Sequence, residues 1–170
     1  LSAKSSLMYY DIGLLLAMLL QSRCKNVVTG MFGDTWKVIQ MPSKSILSNV
    51  AAFHQREGEV GYSTNAHLVI EDLLKREYQA DKVMIFTDTQ LWNSQNRDAN
   101  SIKTAWQNYK RKFPKAKLYL FDLAGYGQSP MRVESGDVYL LAGWSDKIFE
   151  VLDALENGQG IVDFIQGIDL

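Results

Sequence analysis

One cysteine, Cys24, stands in 170 residues. No disulfide can close within the chain and no Cys-rich zinc site can be built, so a reducing, cytoplasmic setting is expected. Net charge is nearly absent as well. Eighteen Lys and Arg face 19 Asp and Glu, leaving −1, without the basic excess of a free-standing nucleic-acid clamp. The longest apolar run, Ile12–Leu20, falls well short of the roughly 20 residues that cross a bilayer. Asp11 before it and Gln21-Ser-Arg-Cys-Lys25 after it give no signal-peptide cleavage site. Missing too are a Gly-x-Ser-x-Gly elbow, a Gly-x-x-x-x-Gly-Lys phosphate loop and a complete GxGxxG. His54 and His67 are isolated, with no partner at ligand spacing.

What remains is a globular composition, 46% hydrophobic and 22% charged, of a length that suits one domain with a real core. The charge is segregated: 17 Lys/Arg against 11 Asp/Glu through Arg132, then one against eight from Val133 onward. An acidic end of that kind is poorly suited to face RNA.

Periodicity divides the chain into alternating elements. Met8–Arg23 reads as an apolar helix. Val27–Phe32 and Trp36–Gln40 read as two strands joined by the short Gly33-Asp34-Thr35 turn. Ile46, Leu47, Val50 and Phe53 share one helical face, as do Ala66, Val69, Ile70, Leu73, Leu74 and Tyr78. Lys82–Thr87 is a continuous apolar run, as in strands covered on both faces. Ile102, Trp106, Tyr109 and Phe113 mark a helix that Pro114 ends. Lys117–Asp122 and Asp137–Leu141 are further strands. Ser145 is a natural N-cap for a helix carrying Ile148, Val151, Leu152 and Leu155, and a short helix with Ile161, Val162, Ile165 and Ile168 closes the chain. Strands alternating with helices predict an α/β doubly wound, mostly parallel sheet with helices on both faces and the hairpin as its antiparallel edge.

Ligands of such sheets bind beyond the carboxyl ends of the strands, which directs attention to Asp88, Asp122 and Gly143-Trp144. Asp88 ends a buried strand, where a carboxylate can hold an oxygen-loving cation or cap the following turn. An aspartyl phosphotransferase would place its nucleophile here too, but Gln90 stands where a second carboxylate would act as acid and base. Thr64, in Gly61-Tyr-Ser-Thr-Asn65, can offer its hydroxyl to a metal; alternatively Ser63, Thr64 or Asn65 caps the next helix. Lys103–Lys117 carries six Lys/Arg and no acid. Within it Lys110, Arg111 and Lys112 are candidates for RNA phosphate contacts, against the plainer reading of a solvated basic face.

A Gly-Tyr-Ser-Thr helix start and Val-Met-Ile-Phe-Thr-Asp88 at a strand end resemble a von Willebrand factor A (vWA) domain. More narrowly, Tyr10-Asp-Ile-Gly13, Phe32-Gly-Asp-Thr-Trp36, Val83–Trp92 and Val138–Asp146 are similar to bacterial members of the Ro autoantigen (TROVE) family. The resemblance implies a single vWA-like domain that follows a ring of helical repeats binding small structured RNAs and the ends of misfolded RNAs. It also implies a metal-ion-dependent adhesion site for Mg²⁺ or another divalent cation, with Thr64 and Asp88 as ligands, Asp88 in some cases through water. The family's Asp-x-Ser-x-Ser element, at the end of its first strand, is absent. In the implied strand order 3-2-1-4-5-6 that strand is central, so its absence would leave a gap in the sheet, with unpaired backbone groups on both sides. The expectation is a chain that starts just after this strand within a longer protein, with an incomplete cation site. The alternatives are a general vWA interaction domain that binds an acidic residue of a protein partner through the cation and, more remotely, a Mg²⁺-dependent phosphotransferase using Asp88.

Overall fold

A computed structural model describes residues 8–41, 44–88, 91, 97–125 and 131–143. In chain order its elements are α1 (Tyr9–Arg23), β1 (Gly30–Phe32), β2 (Trp36–Val38), α2 (Ile46–His54), α3 (His67–Lys75), β3 (Lys82–Thr87), α4 (Arg97–Lys112), β4 (Lys117–Asp122), β5 (Met131–Glu134) and β6 (Val138–Ala142). The expected helices beyond Ser145 lie outside the described residues.

The main sheet has the order β3-β4-β6-β5. β3, β4 and β6 are parallel, in a register running from Lys82 opposite Lys117 to Thr87 opposite Asp122, and β5 is antiparallel to β6. Alternation along each strand sends side chains to opposite faces. Val83, Ile85, Leu118, Leu120 and Val138 pack with Ile70 and Leu73 of α3 and with Ile102, Trp106 and Tyr109 of α4. Tyr119, Phe121, Tyr139 and Leu141 turn the other way and pack against Ile12 and Leu16 of α1. Both faces are therefore covered by helices, which is why the strands read as unbroken apolar runs. Trp106 and Tyr109 are core residues, 3% and 0% exposed, so the aromatic stripe of α4 builds the interior and is closed to nucleic-acid bases.

The hairpin differs from expectation. β1 and β2 pair antiparallel, Gly30 opposite Val38 through Phe32 opposite Trp36, but form a two-stranded sheet of their own. The antiparallel edge of the main sheet is instead β5, on the side away from the hairpin. Strands bond only to an immediate neighbour about 4.8 Å away, and among the described residues no strand lies between β1 and β3. Tertiary contacts hold the hairpin in place. Leu14 and Met18 of α1 bury against Met31, Ile39 and Met41. The Trp36 indole N–H donates to Asp72 Oδ2 on α3 at 2.9 Å.

Tyr119 is fully buried and its hydroxyl has no hydrogen-bond partner among the described residues. Burial, with a smaller contribution from the stacked Tyr139, pushes its phenol up to about 12. Its neutral form is favoured in the fold, so this contribution to stability is complete below the ordinary phenol value of 10. It is lost as pH rises toward about 12. Tyr119→Phe is expected to leave neutral-pH stability unchanged or slightly higher, since no bonded partner is orphaned. It should also remove one late-titrating phenolate from the absorbance at 295 nm. A clear loss of stability at pH 7 would show that the hydroxyl has a partner.

Candidate functional site

Thr64 and Asp88 are both among the lining residues of one large cleft of about 1650 Å³, bounded by β1, β3, α1 and α3. Asp88 directly follows β3 and is exposed. Thr64 lies three residues before α3 and is half-buried. The competing structural roles are not taken up among the described residues. Ala66 is the N-cap of α3 and no side chain caps it. The segment turns by backbone bonds instead, Ala66 N–H to the Thr64 carbonyl at 2.9 Å and Leu68 N–H to that of Asn65 at 3.1 Å. The Thr64 hydroxyl and the Asp88 carboxylate thus open on the cleft with their oxygens available. Asp122, by contrast, is used structurally: Oδ1 accepts the N–H groups of Ala124 (3.1 Å) and Gly125 (3.2 Å) and closes the turn after β4.

Sequence reasoning misses the packing that positions Thr64. Asp34, in the β1–β2 turn, accepts the Ser63 N–H through Oδ1 at 3.2 Å. Thr35 N–H donates to the Val60 carbonyl at 3.1 Å. Gly61 has φ +83° and lies directly against the Asp34 carboxylate. The signal for this clamp is present as Gly33-Asp34 and Gly61, two turn-forming positions far apart in the chain. Glu59 binds Arg56 (2.6 Å) and Lys37, tying the same loop to β2. The hydrogen bond from Arg56, then that from Lys37, lowers the Glu59 carboxyl to about 2. A lowered folded-state value stabilises above the unfolded value and is lost as the carboxylate protonates. The Glu59 contribution is therefore expected to disappear between pH 4.5 and about 2. Because the groups are exposed, the effect is local and screened by salt. Protection of the Lys37 and Gly61 amides, taken relative to the intrinsic exchange rate at each pH, should fall through that window, and in Glu59→Gln it should already be low at pH 7.

The basic candidates lie elsewhere. Lys110 Nζ donates to the carbonyl of Ala116 at 2.8 Å and to that of Pro114, and lies 3.5 Å from Asp137 Oδ2. Lys112 pairs with Glu77, whose carboxyl is lowered mainly by that hydrogen bond. Arg111 is exposed and donates to Asn108 at 3.3 Å. These partners border the N-terminal ends of β3, β4 and β6, whereas Asp88 follows the C-terminal end of β3. The two sets of candidates therefore occupy opposite ends of the sheet, and two of the three cations are engaged within the fold.

A hard divalent cation takes six or more oxygen ligands. Thr64 and Asp88 are of the right chemistry, but among the described residues there is no group of three or more His, Cys, Asp or Glu that could hold a metal. These two residues fit part of a coordination shell. No helix among the described residues is long and apolar enough to cross a membrane.

Three parallel strands covered by helices on both faces, with a separate antiparallel pair, fit a vWA-like fold. Among solved structures the chain is similar to the crystal structure of the Deinococcus radiodurans Ro (RSR) protein. The TM-score is 0.63 and the identity 15%, over 88% of this chain and 29% of that one. This chain thus corresponds to under a third of the Ro protein's length, and at this identity the likeness is one of fold. No family model matches the chain, and no curated protein matches it.

Proposed function

We propose that this chain is the vWA-like, non-catalytic module of a Ro-type RNA-binding protein, one that takes small structured RNA and takes part in RNA quality control. The observation that carries the proposal is the shared fold with the bacterial Ro protein over 88% of the chain. The family-like segments, Phe32–Trp36 and Val83–Trp92 among them, support it independently. In this reading Thr64 and Asp88 lend oxygen ligands to Mg²⁺ or a similar cation, and the remaining ligands come from water or from outside the described residues. RNA affinity belongs mainly to the whole protein, because Lys110 and Lys112 are already paired with Asp137 and Glu77.

The test is a gel shift with a structured small RNA, run on these 170 residues and on the whole protein at matched salt. A shift by the whole protein with little or none by the chain alone is expected. Triple substitution of Lys110, Arg111 and Lys112 by Gln should change the whole protein's affinity by less than about threefold. Failure of the whole protein to bind RNA would overturn the proposal and favour a module that grips an acidic partner residue through the cation. Tight binding by the chain alone would move the RNA surface onto this module.

Cation binding gives a second check. Titration of the chain with Mg²⁺ or Mn²⁺ should give affinity no tighter than about millimolar, because two protein oxygens leave most of the shell to water. Chemical-shift changes should centre on Thr64 and Asp88. Tight one-to-one binding would mean that other residues complete the site, and shifts centred elsewhere would remove these two as ligands.

A further inference from the structure

β5 is the outermost strand of the main sheet, and among the described residues no strand pairs with its far side. Which of its backbone groups face outward follows from bonds on the inner side of β6. Leu118 N–H donates to the Asp137 carbonyl and Gly143 N–H to that of Asp122. Successive residues of a strand turn their N–H and C=O groups to alternate sides. Asp137, Tyr139, Leu141 and Gly143 therefore face β4, while Val138 and Leu140 face β5. In the observed register Val138 stands opposite Glu134 and Leu140 opposite Arg132. Those are the hydrogen-bonded pairs of the β5–β6 hairpin. Met131 and Val133 accordingly present N–H and C=O to the outer edge.

Such an edge is a template for another strand, and folded proteins blunt it with a bulge, a proline or charge. Met131–Glu134 contains no proline and pairs with β6 without a bulge. It does carry charge of both signs, at Arg132 and Glu134, two positions apart and so on one face of the strand. Two copies related by a two-fold axis would bring these edges together antiparallel. Pairing through the outward groups permits few symmetric registers. One centred on Arg132 sets Arg132 against Arg132, and one centred on Glu134 sets Glu134 against Glu134. One centred on Met131 pairs neither charge with the other. Only the register centred on Val133 sets Arg132 of each copy directly opposite Glu134 of the other, at a non-hydrogen-bonded pair, where side chains approach most closely.

We propose that β5 is a self-association edge, through which two copies of this chain join antiparallel about Val133, with Arg132 of each opposite Glu134 of the other. The occupant is a second copy because the charge pattern of this edge complements itself in one register and opposes itself in the registers on either side. The two main sheets would then run on as one. Each Val133 exchanges its N–H and C=O with the Val133 of the second copy, so the contact is short and the association weak. The inference is independent of any RNA role.

Sedimentation of the 170-residue chain should show monomer passing to dimer between about 10 µM and about 1 mM. Protection of the Val133 amide should rise over the same range, while that of Leu140, bonded within the hairpin, stays constant. Arg132→Glu should weaken the dimer by about tenfold or more, because two attractive pairs become repulsive. Adding Glu134→Arg should restore it. Val133→Pro removes only an outward donor and should abolish the dimer with Leu140 still protected. If the double exchange costs Leu140 its protection, Arg132→Glu and Val133→Pro decide the matter between them. A chain that stays monomeric to about 1 mM would overturn the proposal. So would a dimer indifferent to Arg132→Glu or Val133→Pro, which would join through another surface, or a folded double exchange that fails to restore it.

Discussion

Tyr109→Ala is expected to destabilise the chain by about 3–5 kcal/mol, the range for removing a large aromatic from a packed core. Tyr109 is fully buried where α4 meets the approach to β3. Its ring packs 5.6 Å from Trp106 and 4.9 Å from Phe113, centroid to centroid. Its hydroxyl donates to the Tyr78 carbonyl at 2.8 Å and accepts the Ala80 N–H at 2.9 Å. Burial raises its phenol above the ordinary value, so it is the neutral hydroxyl that makes both bonds. Tyr109→Phe isolates the polar part. It keeps the ring and orphans two backbone groups, for an expected loss of about 1–3 kcal/mol. Urea unfolding of both variants separates the contributions. Equal losses would mean that the ring adds little beyond its hydrogen bonds, contrary to its place in the core.

Gly33→Val should have the second large effect, about 1–3 kcal/mol from overpacking alone, and it acts at the candidate site. A side chain on Gly33 would run into the carbonyl oxygens of Val60 and Gly61. Backbone atoms cannot swing aside as a side-chain end can, so the loop that carries Thr64 must move. The expected signature is a loss of protection at the Thr35 N–H, which bonds the Val60 carbonyl, with amide shifts concentrated over residues 60–64. Gly13→Ala is the contrast. Its Cβ would meet Phe86 and Leu123 at 3.5 and 3.7 Å, ordinary contact distances, and alanine gains about 1 kcal/mol of helix propensity over glycine. That variant should be neutral or stabilising. A folded Gly33→Val chain with unchanged loop amides would show that the clamp does not hold Thr64 in place.

Elements whose partners lie close in the pattern are legible in the sequence. Lys82–Thr87 and Lys117–Asp122 have the predicted bounds because a strand buried on both faces must be apolar throughout. Trp106 and Tyr109 announce a core face by their spacing. β5 escapes sequence reasoning because four residues, Met131–Glu134, carry too little periodicity. Its one signal is the Ser135-Gly136-Asp137 turn, where Ser135 and Gly136 both have positive φ. Thr64 and Asp88 are legible as candidates because each ends a segment at a place where the fold class puts ligands. The clamp from Asp34 to Ser63 is not, since it joins positions 29 residues apart.

By itself the sequence determined the α/β alternation, the helices and most strands among the described residues, and it singled out Thr64 and Asp88 as candidates. Each of these follows from short-range periodicity and from the chemistry of single side chains. Only the tertiary structure decided that β5 is the antiparallel edge of the main sheet, that Lys110 and Lys112 are held by Asp137 and Glu77, and that the Asp34 turn clamps the loop carrying Thr64. Pairing is a relation between distant segments, and the backbone groups that make it are the same in every residue but proline. Side-chain pattern alone therefore does not say which distant segments pair.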